Sequence, residues 1–364
     1  GKIMKIKKLE TFSNEYLGFV KVTTDNNDIG WGQVSTYNAD ITTQIFHRQV
    51  APWSIGLELD DEKPDFFDHL QLVLEREHKY PGSYLLRALS GLDTALWDLY
   101  GKLKEKPVAS LIGGAPKKIR VYGSSMRRDI KPEDESKRLC RLRDDYGFSA
   151  FKYRVGSECG RDIDEWEGRS EEIVKLLSHD LGSDVEKLVD GNSCFSPSKA
   201  IELGKILEDH DVCHFEEPCP YWEHNQTKKV KEALYLDVAG GEQDCDMSTW
   251  KSALEKEIVN IVQPDVMYMG GLYRTMKVAN MANKIGLPCT PHAANLSLVT
   301  VCTMHLLTAI PNAGKYLELS IEDETYYPWQ KNIFTRDPFK VGDGFVNVTD
   351  EPGWGVEINP SWLE

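Results

Sequence analysis

Six polar side chains recur at nearly even intervals through the second half of the chain. They are Asp190, Glu216, Glu242, Asp265, His292 and Glu318, at steps of 26, 26, 23, 27 and 26 residues. With 58 acidic residues in 364, three acids at 26-residue steps arise by chance about once or twice, so spacing alone is weak evidence. Position adds weight, because each of the six lies at the end of an apolar run: EKLVD, CHFEE, LDVAGGE, VNIVQPD, LPCTPH and KYLEL. A charge at such a place must be solvated, paired or metal-bound, since burying it bare is costly. Three carboxylates with no cysteine beside them (Asp190, Glu216, Glu242) suit a hard divalent cation with oxygen coordination and positions left open for a substrate.

The elements that would hold these side chains follow a regular beat. From about residue 118, short apolar runs, beginning with KIRVYGSS (118–125) and SAFKYRV (149–155), alternate with amphipathic segments. PEDESKRLCRLRDDYG (132–147), SPSKAIELGKILEDH (196–210) and GLYRTMKVANMANKIG (271–286) are examples, several opening on helix-start residues and closing at glycine. Eight strand–helix units predict a parallel barrel, with the strand ends gathered at one mouth. Before residue 118 the pattern changes. IKKLETFSNEYLGFVKVTTDNNDIGWGQV alternates as an antiparallel meander does, and residues 81–114 read as a helical pair. DGFVNVTDEPGWGVEI (343–358) again reads as short strands. The expected architecture is an α/β chain: an N-terminal α+β capping domain over 1–116, a modified TIM-type (β/α) barrel over 117–325, and a C-terminal segment, 326–364, returning to the cap.

Composition bounds the partners. Apolar residues make up 41% and charged residues 28%, as in a soluble globular protein. A net charge of −15 leaves no basic face for nucleic acid, but a metal and local cations can still receive a small anion. No apolar run approaches the roughly 18 residues of a membrane span, and GKIMKIKKLE lacks the apolar core of a signal peptide. Eight cysteines without CxxC spacing read as reduced, packed thiols. A cytoplasmic setting is expected.

The order of motifs resembles the enolase superfamily, and within it the mandelate racemase-like subgroup, over nearly the whole chain. SGLDTALWDLYGK and KPVASLIGG (within 90–114) resemble its capping-domain helix. VDGN (189–192), FEEP (215–218) and GGEQ (240–243) resemble its three metal-ligand strands. QPDVMYMGGL (263–272), TPHAAN (290–295) and YLEL (316–319) resemble its last three strand ends. The resemblance implies Mg²⁺ on Asp190, Glu216 and Glu242. Adjacent strand residues face opposite sides, so Glu217 points away from the metal, and Asn192 is a candidate for supporting the ligands and for contacting the substrate. It implies an Asp265–His292 pair as general base, and Glu318 as a hydrogen-bonding partner of the substrate carboxylate. Glu322 and Glu324 leave that last assignment open. Capping loops from about 12–17 and 35–55 would add specificity, and relatives commonly form homo-oligomers.

The chain departs from that pattern on the second strand. Many relatives carry Lys-x-Lys; here the triplet is Lys152-Tyr153-Arg154. The strand period of two sends Lys152 and Arg154 inward and Tyr153 outward. Arginine holds its proton too tightly to be an ordinary base, so Arg154 reads as an oxyanion or hydroxyl clamp, with Lys152 adding charge near a carboxylate. One base suffices for a dehydratase, whereas a racemase needs one on each face. The expectation is therefore dehydration of an aldonate or aldarate to a 2-keto-3-deoxy acid. A racemase, epimerase or cycloisomerase is the alternative, and a non-catalytic sugar-acid binder a third reading. Ser125, Arg127 and Tyr37 are candidates for the distal end of the substrate, beside Ser124, Arg128, Asn38 and His47. Trp53 and Trp329 read as packing residues.

Overall fold

The computed structural model describes residues 1–364. Strands β1 (Ile3–Ser13), β2 (Gly18–Thr24), β3 (Ile29–Gln33) and β4 (Glu58–Asp60) form an antiparallel sheet in the order β3-β2-β1-β4. Helices α1 (Ala39–Ile45), α2 (Ala51–Ser54), α3 (Phe67–Arg76), α4 (Ser83–Lys104) and α5 (Val108–Leu111) complete this part. The helical pair expected over 81–114 is one 22-residue helix followed by a single turn. Glu105 takes a left-handed conformation, and Pro107 follows to prevent continuation. Residues of α4 are buried almost all round, because β2 and β3 cover one side and the barrel meets the other. Glycine permits that contact: a Cβ on Gly30 would lie 2.2 Å from the Ala95 carbonyl, and one on Gly32 2.3 Å from the Ala95 nitrogen.

The second part is a parallel barrel. Strands β5 (Lys118–Ser124), β6 (Ala150–Arg154), β7 (Glu186–Asp190), β8 (Val212–Glu216), β9 (Asp237–Gly240), β10 (Ile261–Val262) and β11 (Leu317–Ser320) pair in the order β10-β9-β8-β7-β6-β5-β11. The strand expected at LPCTPH (287–292) is reduced to one residue, Cys289, which bridges in parallel to Val262 and to Ala313 and so closes the ring. Pro288 and Pro291 flank it and lack the N–H that a longer ladder needs. Outside lie α6 (Pro132–Tyr146), α7 (Arg169–Leu181), α8 (Pro197–Asp209), α9 (His224–Ala233), α10 (Met247–Lys256) and α11 (Leu272–Lys284). The helix α12 (Leu298–Leu307) is buried at every position, packed against β11 on one side and against α5 and β3 on the other.

Of the strands expected over 343–358, only β12 (Phe345–Asn347) forms, antiparallel to the outer end of β5. The rest of the C-terminal segment is irregular. Its Gly353 bridges to Pro107, and Trp354 donates its backbone N–H to Asp98 Oδ1 at 3.0 Å and its indole N–H to the Thr94 carbonyl at 2.8 Å. Tyr327, Trp329, Ile333 and Ile358 form a small apolar cluster with Leu17 and Phe19 of the N-terminal sheet region. No helix is long and apolar enough to cross a membrane.

Candidate active site

Parallel register places Arg154, Asp190 and Glu216 side by side at the ends of β6, β7 and β8. Glu242 joins them from just beyond β9, after a turn in which Gly241 takes a φ of +118°. All three acids are buried, and their ligand atoms lie within 4.8 Å of one another. Oε2 of Glu216 and Oε1 of Glu242 have no hydrogen-bond partner. Buried carboxylate oxygens without donors are rare and costly. An all-oxygen set with free lone pairs therefore fits a hard divalent cation. Burial, the largest effect, raises the Asp190 carboxyl despite the opposing charge of Arg154. Burial likewise raises Glu242, opposed by His292 and reinforced by Glu216 and Asp190, to about 7. Two positive charges at this point would remove the repulsion.

Two cations line the neighbouring strand. Lys152 Nζ lies 2.6 Å from Glu216, 2.9 Å from Glu318 and 3.5 Å from Asp190. Burial would lower this ammonium's pKa, but the carboxylates, Glu216 first, hold it well above its ordinary value. Arg154 donates to Asp190 Oδ2 and Asn192 Oδ1, both at 2.6 Å, and to the Ser125 carbonyl at 2.7 Å. Asn192 also donates its backbone N–H to Asp190 Oδ1 at 2.8 Å, so it braces both partners. Tyr153 points into the protein behind the strand, as the period of two requires.

On the other side of the carboxylates, His292 Nδ1 lies 2.7 Å from Asp265 Oδ2 and its Nε2 lies 3.0 Å from Glu242 Oε2. Asp265 Oδ1 accepts the backbone N–H groups of Met267 and Tyr268, which fixes the carboxylate that orients the ring. Burial alone would lower His292; Glu242 first and Asp265 next raise it to about 10. Glu318 accepts from Ser124 Oγ at 2.7 Å and from the Ala293 N–H at 2.8 Å. Burial pushes it up, but Lys152 and then His292 bring it down to about 2. Glu318 is thus an ionised acceptor that orders Lys152.

The lesser candidates divide. Glu217, with φ +46°, accepts from Ser193 Oγ and is no part of the carboxylate cluster. Ser125 is buried and bound, donating to Glu135 at 2.6 Å and accepting from Arg138 at 2.7 Å, so it is no free substrate contact. Arg127 turns outward and makes a two-point pair with Asp129. Its neighbour Arg128 instead reaches inward to the carbonyls of Asp190 and Val155. Both departures share a cause: past Ser124 the chain leaves the strand, and alternation no longer assigns direction. Glu322 is occupied by the Met126 N–H and by Arg138, which excludes it as the partner of the cluster, and Glu324 is exposed. Tyr37 is half exposed and meets Trp329 edge-on at 5.6 Å and Tyr16 at 5.8 Å. Asn38 donates to Tyr84, and His47 bonds Thr11. Trp329 is buried in packing, and Trp53 lies under Arg76. Gln263, absent from the expectation, donates to Glu216 Oε1 at 2.9 Å. It stands two residues before Asp265, and that spacing was the available signal. A cavity of about 820 Å³ lined by Lys102, Met304, Arg336 and Glu351 shares no residue with the cluster.

Residues 135–362 match the enolase C-terminal domain-like family, and residues 6–113 match the mandelate racemase / muconate lactonizing enzyme N-terminal domain. The chain belongs to the enolase superfamily, in its mandelate racemase-like subgroup. An arabinonate dehydratase of Saccharolobus solfataricus is 27% identical over 351 residues, covering 94% of this chain and 88% of the relative. A solved chain from Roseobacter denitrificans, named as a candidate racemase, is 58% identical with a TM-score of 0.95, covering 99% of this chain and 97% of its own. A mandelate racemase/muconate lactonizing protein of Paracoccus denitrificans, solved with magnesium, is 25% identical with a TM-score of 0.88 over 99% of this chain and 96% of its own.

Proposed function

We propose that this protein is a Mg²⁺-dependent hydro-lyase that converts a sugar acid, aldonate or aldarate, to a 2-keto-3-deoxy acid. The observation that carries the reading is the asymmetry of the site. One flank presents an imidazole ordered by a carboxylate; the other presents Arg154, saturated by Asp190, Asn192 and the Ser125 carbonyl. Support also comes from the arabinonate dehydratase that the chain resembles.

Asp190, Glu216 and Glu242 would hold the cation, and oxygen-only ligation favours Mg²⁺ over softer metals. When bound, it supplies positive charge that acidifies the α-carbon of a coordinated carboxylate. His292 Nε2 takes the α-proton while Asp265 holds Nδ1–H and stabilises the imidazolium. Glu242 is the largest charge raising His292, and a cation held by Glu242 would share that charge and favour the neutral ring a base needs. The β C–O bond then breaks, and the imidazolium returns its proton to the departing hydroxyl, which leaves as water. The resulting enol tautomerises to the 2-keto acid. Lys152 steadies the substrate carboxylate's charge, and Arg154 holds Asp190 in line.

The name of the Roseobacter denitrificans neighbour favours a second reading, a racemase or epimerase. That chemistry would need Arg154, or a group not yet in place, to take or give a proton on the opposite face. Incubation with Mg²⁺ and a library of mono- and diacid sugars, read by semicarbazide and by ¹H NMR in D₂O, separates the readings. A 2-keto acid from one member is expected. Deuterium at the α-carbon without loss of water would establish the racemase instead. Ligand-induced thermal stabilisation with neither product nor exchange would make the protein a binder.

A further inference from the structure

The proposed chemistry leaves one buried arrangement beside the dyad without a role. Tyr268 follows Asp265 by three residues, and its backbone N–H is one of the two that hold Asp265 Oδ1. Its ring lies against the His292 imidazole, with centroids 5.6 Å apart and planes at 43°. The guanidinium of Arg87 lies over the same ring, 3.7 Å from its centroid. Arg87 comes from α4 and donates Nη1–H to Ser35 Oγ at 2.9 Å, in the segment that follows β3. That segment grips the loop after His292 as well. Thr36 Oγ1 accepts from Asn295 at 3.1 Å, and Gln33 donates to Ser297 at 2.9 Å while accepting the Leu298 N–H.

The contacts of Nδ1 with Asp265 Oδ2 and of Nε2 with Glu242 Oε2 hold two points of the imidazole and leave its plane free to turn about the line through them. A ring packed against it removes the freedom, provided the ring is itself held. A planar cation stacked on an aromatic face is a strong way to hold it, most of all where water is excluded. We propose that Tyr268 and Arg87 are positioning residues for His292: the Tyr268 ring sets the plane of the imidazole, and Arg87, anchored on Ser35, sets the ring. The seating of the N-terminal part on the barrel is thereby transmitted to the base. The inference rests on His292 being that base.

Four variants test it: Tyr268→Leu, Tyr268→Phe, Arg87→Met and Arg87→Lys, assayed on the substrate found by the screen and crystallised. Tyr268→Leu should lower kcat about 10- to 100-fold with KM held within about twofold, since displacement of a reacting group by an ångström has that effect. Tyr268→Phe keeps the ring and should stay within about twofold of wild type. Arg87→Met should fall about tenfold, and Arg87→Lys should recover part of the loss because an ammonium also binds the ring face. In crystals of Tyr268→Leu the imidazole should turn off Asp265, and in Tyr268→Phe it should remain. Full kcat in Tyr268→Leu, or an unmoved imidazole in its crystals, overturns the proposal. So does a raised KM with unchanged kcat in Arg87→Met, which would make Arg87 a substrate contact. Should Tyr268→Leu fail to fold, Arg87→Met carries both measurements. If wild type turns over no acid in the library, the functional reading fails, while the crystallographic comparison still decides the positioning.

Discussion

At the scale of single residues, the site is a competition for positive charge. Three buried carboxylates, an ionised Glu318 and Asp265 surround one lysine, one arginine and one imidazole. Glu216 has Lys152 and the Gln263 amide on Oε1 and nothing on Oε2, which is the half a cation would take. Glu216→Gln should abolish Mg²⁺ binding measured by calorimetry and turnover with it; retained Mg²⁺-dependent activity would remove Glu216 from the site. His292→Asn should leave Mg²⁺ binding intact and lower kcat by about 10²- to 10⁴-fold, the usual contribution of a general base. Undiminished α-proton exchange in that variant would place the base elsewhere.

At the scale of elements, β6, β7 and β8 are the parts the sequence described best, because burial on both faces makes such strands continuous apolar runs. β10 and the Cys289 bridge were harder to foresee. Prolines shorten their ladders, so Asp265 and His292 sit on irregular backbone that only hydrogen bonds hold. The junction of α12 with the rest turns on His305, which is fully buried. Its Nδ1 accepts the Ala109 N–H at 3.0 Å, leaving Nε2–H to donate to the Trp354 carbonyl at 3.2 Å. That pairing demands the neutral ring, and burial lowers its pKa to about 4. The folded form thus binds its proton later than the unfolded chain, whose histidine titrates near 6.5. The associated stability is present above pH 6.5 and lost as pH falls towards 4, at most about 3 kcal/mol. Thermal melts of wild type and His305→Gln at pH 7 and pH 4.5 check this: the glutamine variant should lose less on acidification. Equal losses would show that His305 does not titrate in that window.

For the whole molecule, the charge pattern joins stability to the metal. A chain of net charge −15 gathers several acids into one dry mouth, so the apo protein carries repulsion that a cation relieves. At Mg²⁺ of roughly 100 Kd, mass action stabilises the folded form by about 2.7 kcal/mol, a shift on the order of 5 °C. Differential scanning fluorimetry with and without Mg²⁺ should show that rise in wild type and none in Glu216→Gln. A rise of equal size in both would mean that the ion acts elsewhere. The N-terminal sheet and the C-terminal segment also meet at this scale. Trp354 binds α4, and Trp329 packs with Tyr16 and Tyr37, aromatic contacts more than 250 residues apart in sequence.

The sequence by itself determined the acids, the imidazole and the strands that carry them, because a charge at the end of an apolar run has few physical outcomes. It also determined the inward face of Lys152 and Arg154, since alternation along a strand is a local rule. The tertiary structure decided what each group faces. Ser125 is spent on Glu135 and Arg138, Arg127 turns to Asp129, and Glu318 is held ionised by Lys152. Arg87 meets Tyr268 across 181 positions of sequence. Hydrogen-bond partners and stacking depend on distances between separate elements, and periodicity within one element holds no record of them.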